Sequence, residues 1–262
     1  MKIREIAEVL EKWAPPPIAE SYDNVGLLVG YPEMDVTGIL VSLDATEEVV
    51  EEAFQKGLNL VVAHHPIWFS PRKRLNGEDY ISRTIISAIK KDVAIYACHT
   101  NLDNVRTGVN HQICAKLGLE DVRFLQAKTI SGESDFGSGM IGNLPSPMKK
   151  MDFLASVKDI FGCGGIRYAD ADKSEIQKVA VCGGAGSFLT SEAIRQNADA
   201  LVTADITYHK FFDNEQKMLL LDIGHYESEQ FTSVLIRDYL SEKFINFAIR
   251  LSEVITNPVR YF

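Results

Sequence analysis

An α/β fold built as two similar lobes with mainly parallel sheets is predicted for this chain, and three observations predict it. Short apolar runs alternate with amphipathic stretches along the 262 residues. The runs are nearly continuous in apolar character, as strands covered on both faces require. One half of the chain also echoes the other at a fixed spacing. With 46% hydrophobic and 24% charged residues, there is room for one large or two medium domains.

The first residues read as an amphipathic helix, because Ile3, Ile6, Ala7, Leu10 and Trp13 recur at helical spacing with Arg4, Glu5 and Glu8 between them. That pattern is not a secretion signal, and Pro15-Pro16-Pro17 stops it. GILVSLDA (38 to 45) then reads as a buried strand, TEEVVEEAFQKG (46 to 57) as a helix and LNLVVAH (58 to 64) as a second strand. A helix is expected at 81 to 91, where Ile81, Ile85, Ile86 and Ile89 share a face, followed by a strand at VAIYACH (93 to 99). The segment 128 to 150 is rich in Gly, Ser and Pro and is expected to pass between a first lobe, 1–127, and a second, 128–262. Within it, Ser146-Pro147 offers a helix start before MKKMDFLASVKDIFG. The part from about 222 to 262 is expected to pack back toward the first lobe.

The echo runs without a gap. VAVCGGAGSFLTSEAIRQNADALVTADITYH, from 179, lies over ILVSLDATEEVVEEAFQKGLNLVVAHHPIWF, from 39, so that Val41 meets Val181, Ala45 meets Ala185, Ala53 meets Ala193 and Val62 meets Val202. YACHTNLD and DIGHYESE then match, setting His99 over His225 and Asp103 over Glu229. Each half therefore closes a buried strand with a histidine and a carboxylate four residues later.

Charge and cysteine usage narrow the function. A formal charge of −9 disfavours a broad polyanion-binding face, and the basic triplet Arg72-Lys73-Arg74 reads as a solvated loop. Cys98, Cys114, Cys163 and Cys182 form no Cys-x-x-Cys pair, so they signal neither a zinc knuckle nor a disulfide framework, and a reducing cytoplasm fits them. No run of 18 apolar residues marks a membrane span. A soluble, cytoplasmic protein is expected.

Ligands of α/β sheets collect beyond the carboxyl ends of the strands, and the histidines sit there. His64 and His65 close one strand ahead of Pro66, which turns the chain out of the sheet. Neighbouring side chains on a regular strand face opposite ways, so the pair can serve one site only at a strand end or where two metals flank it. Helical spacing after the strand MLLLDIG brings His225 and Glu229 onto one face. Each feature also has a plainer reading: a hydrogen-bonded histidine pair, a solvated polar pair, and for Asp103 a turn former. Taken together, His64, His65, Asp103, His225 and Glu229 suit borderline first-row ions such as zinc, manganese, iron, nickel or cobalt, and disfavour calcium. They could saturate one ion, or hold two if a carboxylate bridges. The expected site is the cleft between the lobes.

His99, Glu229 and Asp103 are the candidates for proton transfer, with His99 alternatively an orienting group or a ligand. Gly183, Gly184 and Gly186 in CGGAGS could offer N–H groups to a substrate anion, although a tight turn needs glycine equally. His209 and Asp205 could face the cleft or serve as a core histidine and a helix cap. His111, in VNHQICAKLG, reads as structural.

SYDNVGLLVG (21 to 30), VVAHHPIWF (61 to 69), HTNLDNV (99 to 105), CGGAGS (182 to 187), DALVTADITYH (199 to 209) and GHYESE (224 to 229) together resemble the Nif-three-like family, some of whose members are labelled GTP cyclohydrolase type 2 homologues. The match is ordered and spans nearly the whole chain. The resemblance implies a Nif-three-like fold of two related lobes and a dinuclear centre of two divalent ions per subunit, held by the five residues just named. It further implies a ring-shaped homohexamer. Many members carry an inserted domain between the halves, for which this chain is too short. Thr203-Ala204-Asp205 departs from the family's Thr-Gly-Asp or Thr-Gly-Glu, and a methyl group at Ala204 is expected to narrow substrate choice if the glycine serves positive φ or close approach.

Two functions follow as expectations. One is a metal-dependent hydrolase of the GTP cyclohydrolase type 2 kind, acting on a small nucleotide-like or phosphorylated substrate. The alternative is a non-enzymatic metal-binding ring that engages a protein or nucleic-acid partner, the nucleic-acid version being disfavoured by the acidic charge.

Overall fold

Residues 1–130 and 133–262 are described by a computed structural model. Residues 131 and 132, inside the expected interlobe passage, lie outside the described residues. Along the chain run α1 (Ile3–Trp13), β1 (Gly26–Val29), β2 (Ile39–Ser42), α2 (Glu47–Gln55), β3 (Leu60–Ala63), α3 (Tyr80–Lys90), β4 (Ala94–Ala97) and the single turn α4 (Thr100–Asp103). Then come α5 (Val109–Lys116), β5 (Glu120–Ile130), β6 (Glu133–Lys149), α6 (Lys150–Phe161), β7 (Arg167–Ala169), β8 (Glu175–Val181), α7 (Thr190–Arg195) and β9 (Ala200–Thr203). A 3-10 segment (Tyr208–Asn214) precedes β10 (Leu219–Asp222), α8 (His225–Glu229), α9 (Thr232–Lys243) and β11 (Ile249–Leu251).

The chain divides into two units, Met1–Leu102 with Thr232–Asn257, and Asp103–Phe231 with Pro258–Phe262. The first unit holds a five-stranded sheet in the order β1-β4-β3-β2-β11. Four strands run parallel and β1 closes one edge antiparallel to β4. Strands β2, β3 and β4 are buried along their whole length, which accounts for their unbroken apolar runs. Helix α2 begins where Thr46 Oγ1 accepts the Val49 N–H, and it lays Val49, Val50 and Ala53 into a core shared with Leu40, Val61 and Ile95. Helix α3 is rotated from the expected face: Ile85 and Ala88 are buried, whereas Ile89 is 61% exposed. The Asp79–Ser82 capping box fixes its start.

The second unit holds a six-stranded sheet in the order β5-β6-β8-β9-β10-β7. Its centre, β8-β9-β10, is parallel, but both flanks are antiparallel, so this sheet is mixed rather than mainly parallel. Its core gathers Leu125, Ile141, Ala180, Leu189, Ala193, Leu201 and Leu220.

Much of the 128–150 segment is strand in this second sheet rather than a passage, with the long hairpin β5-β6 running through it. Ser146-Pro147 starts no helix: it lies in β6 where the pairing with β8 is irregular between Asn143 and Met148, and α6 begins at Lys150. A residue without an N–H is tolerated at such a break in the ladder. The echo, by contrast, is visible in the sheets. Ile39 pairs with Leu60 and Val179 with Ala200, the same spacing in both units.

Candidate metal centre

In the first unit the strands deliver three imidazoles. Strand β3 ends at Ala63, so His64 and His65 lie just past the ladder, where alternation no longer separates them. Their N–H groups still donate to the carbonyls of Ser42 and Leu43, at 3.2 and 2.9 Å, which holds the backbone rigid. The centres of the two rings stand 4.9 Å apart, and the centre of the His99 ring lies 5.3 and 5.4 Å from them. One ring nitrogen from each of His64, His65 and His99 falls within 4.8 Å of the others, a spacing that could hold a metal ion.

Each ring is oriented from behind. The His64 Nδ1 lies 2.7 Å from the Cys98 carbonyl, the His65 Nδ1 2.7 Å from Asp44 Oδ1, and the His99 Nδ1 2.8 Å from Asp23 Oδ1. Carbonyl and carboxylate oxygens only accept, so Nδ1 carries the proton and Nε2 is left as the ligand nitrogen. The carboxylates are themselves held: Asp44 accepts from the Thr256 hydroxyl, and Asp23 accepts from the Thr100 N–H at 3.0 Å and from its hydroxyl. Burial alone would raise the Asp23 pKa, but His99, Thr100 and the Asn24 N–H outweigh it and bring it down to about 2. Asp44 is lowered against its burial by His65 and Thr256 in the same way.

In the second unit the parallel strands deliver a histidine and a carboxylate. Gly224, at φ 93°, leaves β10 and opens α8, so that His225 and Glu229 stand one turn apart with Nε2 3.0 Å from Oε2. The His225 Nδ1 lies 2.6 Å from Asp205 Oδ2, which repeats the arrangement of the first unit. Burial pulls the His225 pKa down, yet Asp205 and Glu229 together push it up to about 11. Asp205 reaches the ring from a left-handed backbone, φ 53°, a conformation that costs a non-glycine residue about 1 kcal/mol or more. The left-handed position of Thr203-Ala204-Asp205 is thus Asp205 and not Ala204, whose methyl group is fully buried.

The glycine turn serves this pair in another way than anion binding. The N–H groups of Gly183, Gly184 and Gly186 donate to Asn110 Oδ1, Ser228 Oγ and Thr203 Oγ1, at 3.0, 3.0 and 2.8 Å, so the donors expected for a substrate are already taken. Gly184, at φ 59°, lies so close to the pair that an added Cβ would stand 2.5 Å from Glu229 Oε1 and 3.1 Å from His225 Cε1. Buried Asn110 also donates to the Asp103 carbonyl at 3.0 Å, tying the candidate ligand Asp103 to the turn that supports Glu229.

His209 is exposed within the Tyr208–Asn214 segment, among the rings of Tyr208 and Phe212. His111 is exposed on α5. The four cysteines are buried, and burial pushes the thiols of Cys98, Cys114 and Cys163 up, away from the thiolate a metal would need. Sequence reasoning passed over Asp23, Asp44 and Asn110. Asp44 follows the strand β2 as the histidines follow theirs, so the strand-end rule applies to it, whereas nothing local marks Asp23 or Asn110.

Two mixed α/β units whose strand ends carry oriented imidazoles and carboxylates define a protein with a candidate metal centre. The family model for Duf34/NIF3 (NGG1p interacting factor 3) matches residues 1–258, and the chain belongs to that family. It is 34% identical over 244 residues to a Clostridium perfringens protein named GTP cyclohydrolase 1 type 2 homolog, covering 93% of this chain and 92% of that one. Among solved structures it is similar to the hypothetical protein SA1388 of Staphylococcus aureus, with TM-score 0.92 and 29% identity over 100% of this chain and 99% of that one. The Bacillus cereus protein related to NIF3 gives TM-score 0.91 and 25% identity over 100% and 99% of the two chains.

Proposed function

We propose that this protein is a metal-dependent hydrolase of small nucleotide-like or phosphorylated substrates, with His64, His65, Asp103, His225 and Glu229 as ligands of two divalent ions. The observation that carries the reading is the orientation of the rings. All of His64, His65, His99 and His225 have Nδ1 engaged by an oxygen acceptor, the arrangement that metal-ligating histidines use to fix tautomer and direction. The donor set, imidazole and carboxylate without thiolate, fits borderline first-row ions.

Bound divalent ions would supply a lowered pKa for water and polarisation of a substrate oxygen. The chain's own groups would handle the protons. His99, with Asp23 fixed behind its Nδ1, is placed to accept or return a proton at Nε2, and Asp103 and Glu229 offer carboxylates for the same task. The relative's printed name supports a nucleotide-like substrate without fixing the reaction, since one fold hosts many chemistries. The same proposal includes a homohexamer, for which light scattering should give about six times the 29.2 kDa of the chain, in a cytoplasm whose reducing state the cysteine spacing fits.

Turnover of a nucleotide and phosphoester panel by protein loaded in turn with zinc, manganese, iron, nickel and cobalt tests the reading. Activity above background with one metal, lost on chelation and in Glu229→Gln, is expected. Stable metal retention with no turnover across the panel would leave the non-enzymatic ring as the better account.

A further inference from the structure

We infer that a second site, a pocket of about 620 Å³ beside strand β7, binds an uncharged planar heteroaromatic ring that carries hydrogen-bond acceptors on its edge. The volume is in the range of small-ligand sites. Its walls are aromatic and open: Tyr208 is 71% exposed, Phe212 64% and Tyr168 45%, and all three line the pocket. The Tyr208 and Phe212 rings stand 5.4 Å apart at 72°, forming two walls that meet at an angle. The 3-10 segment explains the placement, because residues three apart eclipse one another and so align Tyr208, Phe211 and Asn214, all of them lining residues. Glu215 and Gln216, both left-handed at φ 46° and 58°, then turn the chain back toward β10.

Arg167 selects the ligand. Its Nη2 donates to the Ile206 carbonyl, 3.1 Å away, and to Asp222, and its guanidinium lies 5.6 Å from the centre of the Phe211 ring. Fixed in this way, it keeps Nε and Nη1 as donors with no partner among the described residues. A cation would be repelled by this guanidinium. A phosphate would meet the carboxylates of Asp170, Asp172 and Glu215 on the same lining. Lys150 and Lys217 pair with Asp170 and Glu215, which leaves little net charge to attract an ion of either sign. What remains is a neutral ring, stacked on the aromatic walls, whose carbonyl or ring-nitrogen acceptors meet Arg167. The Ile206 carbonyl adjoins Asp205, the residue that orients His225, so the pocket and the His225–Glu229 pair share one support. In linking the ring to chemistry the inference rests on the hydrolase reading, but ring binding itself needs no metal.

Calorimetric titration of the full chain with guanosine, uridine, indole and D-ribose tests it, with metal content measured on the same samples. Saturable binding of guanosine or uridine is expected, with none of ribose. Tyr208→Ala/Phe212→Ala should weaken nucleoside binding by about tenfold or more, as loss of a stacking platform does. Both side chains are exposed, so its melting temperature should match the wild type. Arg167→Lys keeps the charge opposite Asp222 but not the Nε and Nη1 donors, and should weaken the nucleosides while leaving indole unchanged. The inference is overturned if neither nucleoside saturates, if the double variant binds them as the wild type does, or if that variant instead lowers the molecular mass in solution, which would make the aromatics a contact between copies. Loss of nucleoside binding with metal content intact counts against the pocket alone, and absent metal with binding intact counts against the hydrolase reading alone.

Discussion

The His225 imidazole is half-buried, which disfavours its charge, yet Asp205 and Glu229 bring its pKa up to about 11. A pKa above the ordinary 6.5 means that, in the metal-free protein, this charged group contributes stability that is fully present below about 6.5 and lost as pH rises through about 11. Asp205→Asn keeps an acceptor for Nδ1 but removes one of the two anions. NMR titration of the ring in the metal-free variant should show its pKa lower by about one unit or more; an unchanged value would mean that Asp205 does not hold the ring. Asp23 works in the opposite sense. Its pKa of about 2, against 3.8, gives stability that is present above 3.8 and lost as pH falls through about 2. Asp23→Asn should therefore lower unfolding free energy at pH 7 by about 2 kcal/mol. Urea midpoints should show this difference shrinking to nothing in strong acid. A pH-independent difference would trace the loss to packing instead.

At the scale of elements, the turn between β8 and α7 decides whether α8 can place its ligands. Gly184→Ala adds a methyl group 2.5 Å from Glu229 Oε1 at a left-handed backbone position, so it should reduce retained metal well below the wild-type ratio by elemental analysis. Gly183→Ala meets its nearest neighbour only at 3.2 Å, without positive φ, and should reduce it less. Equal retention in both variants would separate the turn from metal binding. This turn also shows where sequence reading succeeds and stops. Glycines after a strand announce a backbone need, but not whether that need is a ligand's or a neighbouring side chain's, and here Glu229 and the acceptors Asn110, Ser228 and Thr203 supply the reason. Strands β2, β3, β4, β9 and β10 were legible because burial on both faces leaves an unbroken apolar run. The hairpin β5-β6 was not, since glycines and prolines that signal loops also occupy breaks in an antiparallel ladder, as Pro147 does. His64, His65, His225 and Glu229 were legible from strand ends and helical spacing. Asp23, far from His99 in sequence, orients it through a contact that no periodicity records.

For the whole molecule the telling quantity is the exchange of protons for metal. The chain carries a formal charge of −9, and among the described residues no helix is long and apolar enough to cross a membrane. Its imidazoles need their Nε2 lone pairs to coordinate an ion, and near neutral pH His225 holds a proton there in the metal-free state, because Nδ1 and Nε2 both face carboxylates and the pKa lies near 11. Metal entry has to expel that proton, so uptake at pH 7 should release about one proton per chain from this residue. Titration calorimetry of zinc or manganese in two buffers of different ionisation enthalpy reads that number directly. Apparent affinity should rise between pH 6 and pH 8, and free metal at about 100 times the dissociation constant should stabilise the fold by about 2.7 kcal/mol against chelated protein. In Asp205→Asn the proton is held less tightly, so proton release on metal uptake should fall off at a lower pH than in the wild type. Metal uptake without proton release in either protein would mean that His225 is no ligand, and the proposed set of five would have to be redrawn without it.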